Sequence, residues 1–370
     1  MKNFYPVNIP KVTNSDIKNV SRVMKESWIS SDGPEVKKFE SKFSKFINKK
    51  YSIAVSNGTA ALEIAMKAIG IRPGDEVIIP NFTIISNALA VIKLGATPIL
   101  VDCGLYNWNI NINDLKKKIS KKTKAIVITH IYSFSNPMDE IKKVLKNKKI
   151  TIVEDAAEVL GLKYKNKMCG SFGDISTFSF YANKHVTTGE GGMISTNNPK
   201  IYQKCKSLRN LCFGVKDRFN HDDLGWNYRI SNIQAALGLS QLKRIKKIVK
   251  RREYIGKQYY KKLYINKNIQ ILKPVCSFAK NIYWVVGLVI KNNISAKTLA
   301  KRLNKYGIQT RPFFWPMHKQ TILRKMGLFK GEKYPNSEYL SKYGLYLPSS
   351  LSLNSKQISF ISKKVNEIIK

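Results

Sequence analysis

The sequence predicts an α/β protein: a large domain built on a mostly parallel sheet covered on both faces, followed by a smaller α+β domain. Three observations predict it. Short, nearly all-apolar runs alternate with amphipathic stretches through the first part of the 370 residues. Runs of that kind read as strands buried on both faces, as a parallel sheet requires. Near residue 250 the alternation gives way to a mixed pattern, which places the domains at 1–250 and 251–370.

Each element follows in chain order. Residues Ser52–Val55 read as a strand and Thr59–Ile69 as a helix. The turn Arg72–Asp75 (RPGD) leads into the strand Glu76–Pro80. A helical stretch, Thr83–Leu94, precedes the strand Thr97–Val101. Lys124–His130 and Ile150–Glu154 are two further apolar strands. One long helical stretch runs over Asn232–Leu263. The second domain is read from a strand at Ile282–Ile290, a helix at Ala296–Tyr306 and a closing helix at Lys356–Ile369. Ligands of open parallel sheets sit at the carboxyl ends of the strands, so the residues just after each strand are the first candidates for chemistry.

Composition narrows the function. Hydrophobic residues make up 43% and charged residues 24%, as in ordinary globular chains. The formal net charge is +41. Of the 65 basic residues 54 are lysines, spread along the chain rather than gathered on one face. Nucleic-acid readers favour arginine forks and clustered basic surfaces, so the charge is read as lysine bias and no nucleic acid is expected as partner. Such a surface still attracts a phosphorylated small molecule. No apolar run approaches about 18 residues, so no membrane span is expected. The start MKNFYPVNIPKVTNSD lacks the apolar core of a signal peptide, and a cytoplasmic protein is expected. Five scattered cysteines suit reduced thiols. The four histidines lie far apart, and no metal site is expected. Neither GxGxxG after a strand nor GxxxxGK[ST] occurs.

Three segments carry chemistry. Ser56-Asn57-Gly58-Thr59-Ala60 follows the first strand. Small residues at a helix start let backbone N–H groups approach a phosphate, although a plain helix cap is the commoner meaning of such a string. Asp155 and Glu158 follow the strand Ile150–Glu154, and a carboxylate there can hold a proton on a heteroaromatic nitrogen. Lys184 ends the aromatic-rich stretch Ser176–Asn183 and precedes the glycine-rich return GEGGM. A lysine desolvated among aromatics has a lowered pKa and can attack a carbonyl to form a Schiff base. Phosphate cradle, aspartate and lysine, in that order, are the parts that a pyridoxal phosphate enzyme needs.

Longer strings match a known family. SNGTAALEIA from Ser56, RPGDEVIIP from Arg72, EDAAE from Glu154 and GSFGDISTFSFYANKHVTTGEGGM from Gly170 are four of them. LGWNYRISNIQAALGLSQL from Leu224, TRPFFWPMH from Thr310 and Trp28-Ile29-Ser30-Ser31 complete the set. Over nearly its whole length the chain resembles the DegT-type nucleotide-sugar aminotransferases, most closely the branch that makes GDP-perosamine. The resemblance implies a fold-type I architecture, pyridoxal 5′-phosphate as cofactor and a homodimer with shared active sites. It also implies L-glutamate and a nucleotide sugar as substrates, with a place in O-antigen or capsule polysaccharide biosynthesis.

Residue by residue, Lys184 matches the Schiff-base lysine and Asp155 the partner of the pyridine nitrogen. Glu158 matches a neighbour of the cofactor's 3-hydroxyl. Gly58, Thr59 and Ser179 match phosphate contacts, and Asn227 matches an asparagine reaching the phosphate from the other subunit. Trp28, Arg229 and His318 lie in motifs that border the substrate pocket. The chain departs from the family at Ile84, where an aromatic ring is usual, and at Asn87, where Ser or Thr is usual. Ser133 and Ser135 stand at a usual Gly and Pro. Sugar-deoxygenating relatives carry histidine at the lysine position. Here Lys184 is kept and His185 only follows it, which favours amino transfer. The expected reaction converts GDP-4-keto-6-deoxymannose to GDP-perosamine. The alternatives are a UDP- or dTDP-linked keto sugar, a smaller phosphorylated ketone, or a non-catalytic regulatory protein that binds the cofactor.

Overall fold

The computed structural model of the chain describes residues 4–370. Two helices, α1 (Asn14–Lys25) and α2 (Pro34–Ile47), precede the first strand. Thr13 and Asp16 form a capping box on α1, and Pro34 opens α2 where its missing N–H costs nothing. Next come β1 (Tyr51–Val55), α3 (Gly58–Ala68), β2 (Glu76–Pro80), α4 (Ser86–Ile92) and β3 (Thr97–Val101). Then follow α5 (Ile112–Lys118), β4 (Thr123–Thr129), α6 (Met138–Leu145) and β5 (Thr151–Asp155). A small hairpin, β6 (Lys163–Tyr164) and β7 (Lys167–Met168), leads to β8 (Ile175–Ser179) and β9 (Gly192–Thr196).

These strands, the hairpin aside, form a seven-stranded sheet in the order β1-β9-β8-β5-β4-β2-β3. Strand β9 runs antiparallel to both neighbours, and the other pairs are parallel. The carboxyl ends of β1, β4, β5 and β8 therefore open on one edge. Helices cover both faces, and two apolar cores result. In the first, Phe39 and Phe43 of α2 pack on Phe178 and Phe180 at the end of β8. All four rings are fully buried, each stabilising the fold by about 2–3 kcal/mol.

After α7 (Pro199–Arg209), the expected single helix over Asn232–Leu263 is two: α8 (Asn232–Lys243) and α9 (Ile245–Leu263). The helix breaks at Arg244, whose guanidinium is drawn to the buried carboxylate of Asp16. Ile245 and Val249 of α9 pack in the large core, whereas Ile255, Tyr259 and Leu263 pack in that of the second sheet. One rod thus enters both.

The second sheet contains β10 (Ile269–Ile271), β11 (Val286–Ile290), β12 (Arg311–Pro312) and β13 (Gly344–Leu347). Its order is β10-β11-β13-β12, all antiparallel. Four helices lie in this part of the chain, α10 (Ala296–Asn304), α11 (Thr321–Lys325), α12 (Pro335–Tyr343) and α13 (Ser355–Ile368), of which α11 packs its Leu323 into the second core of the large sheet. The strand expected from Ile282 starts only at Val286, because Tyr283 takes a left-handed conformation with φ 48°. The first described residues join this second unit. Tyr5 pairs with Ile308, and the Ser349 N–H donates to Val7 O at 2.8 Å. A fourth cluster, including Phe82, Trp108, Tyr132, Trp284 and Phe313, seals the seam between the two sheets.

Candidate active site

A cavity of about 600 Å³ opens at the carboxyl edge of the large sheet. Its floor is built from strand ends. Strand β5 ends in Asp155, whose carboxylate is buried. Asp155 Oδ2 accepts from Asn87 Nδ2 and from Thr129 Oγ1, both at 3.3 Å, and Oδ1 accepts from the Ala157 N–H at 3.2 Å. Burial pushes the Asp155 carboxyl above its ordinary range. Glu158, one turn on, accepts from the Tyr132 N–H at 2.6 Å. Its carboxyl is pushed up to about 7, first by burial.

Lys184 lies in the turn after β8 and lines the same cavity. Its Nζ sits over the indole of Trp284, 3.6 Å from the ring centroid. Burial lowers the Lys184 pKa, while Glu158 and Asp155 act against that shift. The amine is therefore poised to lose its proton, as a nucleophile or base must. The neighbouring His185 is turned away. It is buried on the Ile282 carbonyl at 3.4 Å, and burial lowers its pKa to about 3, so its ring is neutral.

The opposite rim is the start of α3. Asn57 caps the helix by accepting from the Ala60 N–H at 2.8 Å. Gly58 faces Ser179, and a Cβ on Gly58 would come 3.0 Å from the Ser179 Cβ. Thr59 Oγ1 lies 2.8 Å from Ser86 Oγ. Small side chains and a helix N-terminus form a cradle for a phosphate. The side chains thus fit pyridoxal 5′-phosphate. A buried carboxylate suits a ring cation, the amine suits an aldehyde, and the cradle suits the phosphate. The buried Thr177 Oγ1 on the same wall has no partner among the described residues.

The small unit closes the cavity with Trp284, Phe314 and Tyr346. None of these three follows a strand of the large sheet, so the rule that directs attention to strand ends passes over them. Trp284 stands out only as a tryptophan before an apolar run, and Phe314 only as part of TRPFFWPMH. Ile84, where the resemblance expects a ring, lines the cavity and is 45% exposed.

Four sequence-derived residues lie elsewhere. Asn227 is exposed in the loop before α8, paired with Asn210. Arg229 lines a separate cleft, and its Nη1 donates to Asn210 Oδ1 at 2.6 Å. Trp28 is half exposed, and its carbonyl accepts from Asn232 Nδ2 at 2.7 Å. His318 is buried beside a separate cleft, with Nδ1 3.1 Å from Asn81 Oδ1 and Nε2 3.1 Å from Glu338 Oε1. His130, Glu154 and Cys169 also lie together. Glu154 there already accepts the N–H groups of Gly170, Phe172 and Gly173, and His130 Nδ1 accepts that of Asn136, so the trio serves as internal bracing. Among the described residues no helix is long and apolar enough to cross a membrane.

The chain is 38% identical over 367 residues to GDP-perosamine synthase of Escherichia coli O157:H7, covering 98% of each. It is 34% identical over 358 residues to GDP-perosamine synthase of Vibrio cholerae, covering 96% of each. Among solved structures, Helicobacter pylori PseC, an aminotransferase involved in the biosynthesis of pseudoaminic acid, superposes with a TM-score of 0.94 at 25% identity over 99% of each chain. The model of the DegT/DnrJ/EryC1/StrS aminotransferase family matches residues 10–366, and the chain belongs to that family.

Proposed function

We propose that this aminotransferase moves the amino group of L-glutamate to GDP-4-keto-6-deoxymannose, forming GDP-perosamine. The juxtaposition of Lys184, Asp155 and Glu158 at one sheet edge carries the reading of the chemistry. The two GDP-perosamine synthases related over nearly full length support the choice of sugar.

Pyridoxal 5′-phosphate is the enzyme's cofactor; when bound, it supplies a ring that accepts the electron pair left as a proton departs from the amino-bearing carbon. The remaining work belongs to the chain. Gly58, Thr59 and Ser179, with the N-terminus of α3, hold the phosphate. Asp155 holds the proton at the pyridine nitrogen and keeps the ring cationic. Lys184 Nζ would take the proton from the donor's α-carbon and act as the carrier that passes it on. In the second half-reaction it carries a proton the opposite way. Glu158, with its raised pKa, keeps a proton available next to the cofactor's hydroxyl. Trp284, Phe314 and Tyr346 keep water from this transfer, which strengthens each electrostatic contact.

In this reading Asn227, Arg229 and Trp28 face the active site of a second subunit in a cytoplasmic homodimer, which is why they lie outside the cavity of their own chain. His318 supports the substrate wall through Asn81. The test is a panel of GDP-, UDP- and dTDP-linked 4-keto-6-deoxy sugars with L-glutamate, read by mass spectrometry. GDP-perosamine and 2-oxoglutarate are expected in equal amounts. Turnover confined to UDP- or dTDP-linked sugars would move the proposal to another nucleotide.

A further inference from the structure

The turn after β4 contains a serine in an unfavourable conformation. Ser133 is fully buried and left-handed, with φ 64°, and the adjacent Tyr132 has φ 49°. A Cβ in this region costs about 1–2 kcal/mol, and glycine avoids that cost. The resemblance expects glycine here. The side chain that occupies the position instead makes two short hydrogen bonds. Ser133 Oγ donates to Glu158 O at 2.7 Å and accepts from the Trp284 N–H at 2.6 Å. Its donor and acceptor are both used, and they join two different parts of the molecule. One is the segment of Glu158 at the edge of the large sheet. The other is the entry to β11 in the small one.

Trp284 is fixed at its other end too. Its Nε1 donates to the carbonyl of Asn183, the residue before Lys184, at 2.9 Å. Its own carbonyl accepts from Arg252 Nη1 at 3.0 Å. The indole face so held lies 3.6 Å from Lys184 Nζ. An aromatic face favours the cationic form of a nitrogen above it, and more so away from water. The same turn fixes the carboxylate facing that nitrogen, through the Tyr132 N–H on Glu158.

We infer that Ser133 is a positioning residue: its hydroxyl latches the Trp284 indole onto Lys184 and thereby sets how readily that nitrogen holds its proton. The inference rests on Lys184 being the reactive amine. The other charged groups facing Lys184 are Asp155 and Glu158, and Arg252 lies behind Trp284. None of these is altered in the variants below.

The experiment uses the full chain loaded with pyridoxal 5′-phosphate. The pH midpoint of its visible absorption band reports protonation at the nitrogen joining cofactor and lysine. Trp284→Leu removes the aromatic face, so the midpoint should fall by about 0.5–1 pH unit. Ser133→Ala and Ser133→Gly should each lower it in the same direction. Ser133→Gly relieves the left-handed strain, so the folded chain is retained in at least that variant. The double variant Ser133→Gly/Trp284→Leu should fall no further than Trp284→Leu alone, because the two act through one contact. A bulk structural role for Ser133 would change the melting temperature and leave the midpoint in place. Folded Ser133 variants that titrate like wild type, or shifts that add in the double variant, overturn the latch. A wild-type chain that binds cofactor without a pH-dependent band, or a Lys184→Ala chain that keeps it, overturns the assignment of Lys184 instead.

Discussion

At the scale of single residues, the site places two carboxylates around one amine and gives them different work. Asp155 accepts three hydrogen bonds from Asn87, Thr129 and the Ala157 N–H. These favour its ionised form against burial, and a cationic ring nitrogen completes the balance. Asp155→Asn keeps the shape and loses the charge. The rate of amino transfer should fall by about 10²–10³-fold, the scale of losing one oriented electrostatic partner in a dry site. Single-turnover kinetics with saturating cofactor would check it, and a near-wild-type rate would move the role to Glu158.

Glu158 offers a prediction through pH. Burial raises its carboxyl from an ordinary 4.5 to about 7, with Lys184 acting against the shift. The fold therefore prefers the protonated form. The stability due to that proton is complete below about 4.5 and is lost as pH rises through about 7. Glu158→Gln is neutral throughout. In cofactor-free protein its melting temperature relative to wild type should rise by a few degrees over that window, and a difference independent of pH would refute the shift.

At the scale of elements, the start of α3 has to accept a phosphate at close range, and Gly58 is where closeness is decided. A methyl group there meets the Ser179 Cβ at 3.0 Å, so helix or serine must give way by a few tenths of an ångström. Gly58→Ala should weaken cofactor binding about tenfold, roughly 1.4 kcal/mol, with little change in folding. Titration of the cofactor-free chain, followed by absorbance, measures this directly.

The elements also show what could be read in advance. Gly58, Asp155 and Lys184 were legible because each follows a strand whose apolar run is visible locally, and the sheet edge then brings them together. The serine turn at Tyr132–Ser133 was visible only as a departure from a pattern. Trp284, Phe314 and Tyr346 reach the cavity through tertiary packing of a second sheet, and no local period encodes that. The break at Arg244 was hidden for the same reason. Arg244 there pairs with Asp16, which is more than two hundred positions away in sequence. The late start of β11 depends on a single left-handed tyrosine in a run that alternates well enough for a strand.

At the scale of the whole molecule, Asn227 is exposed, whereas the phosphate contacts it is proposed to join, Gly58, Thr59 and Ser179, are half-buried. A C2 dimer would use such a contact twice and build two equal composite sites. A Lys184→Ala subunit and an Asn227→Asp subunit should then complement each other. In the mixed dimer one site carries both defects and the other neither. Co-refolding the two inactive chains should restore up to about half the wild-type activity per mixed dimer. Heterodimers confirmed by native mass spectrometry yet inactive would sink the shared-site arrangement.

The pairing of Tyr5–Val7 with the second sheet has a consequence for how the molecule is made. Tyr5 bonds to Gly307, the Val7 N–H to the side chain of Gln309, and the Ser349 N–H to Val7 O. On the ribosome Tyr5–Val7 emerge well before their partners Gly307, Gln309 and Ser349, the contact of Val7 with the Gln309 side chain spanning 302 positions. Until then this segment has nowhere to dock, and contacts of such sequence separation form late. Gly307, Gln309 and Ser349 must therefore be made before the fold can fasten Tyr5–Val7. A nascent chain stalled before Ser349 should leave this strap open to protease, and release of the full-length chain should protect it.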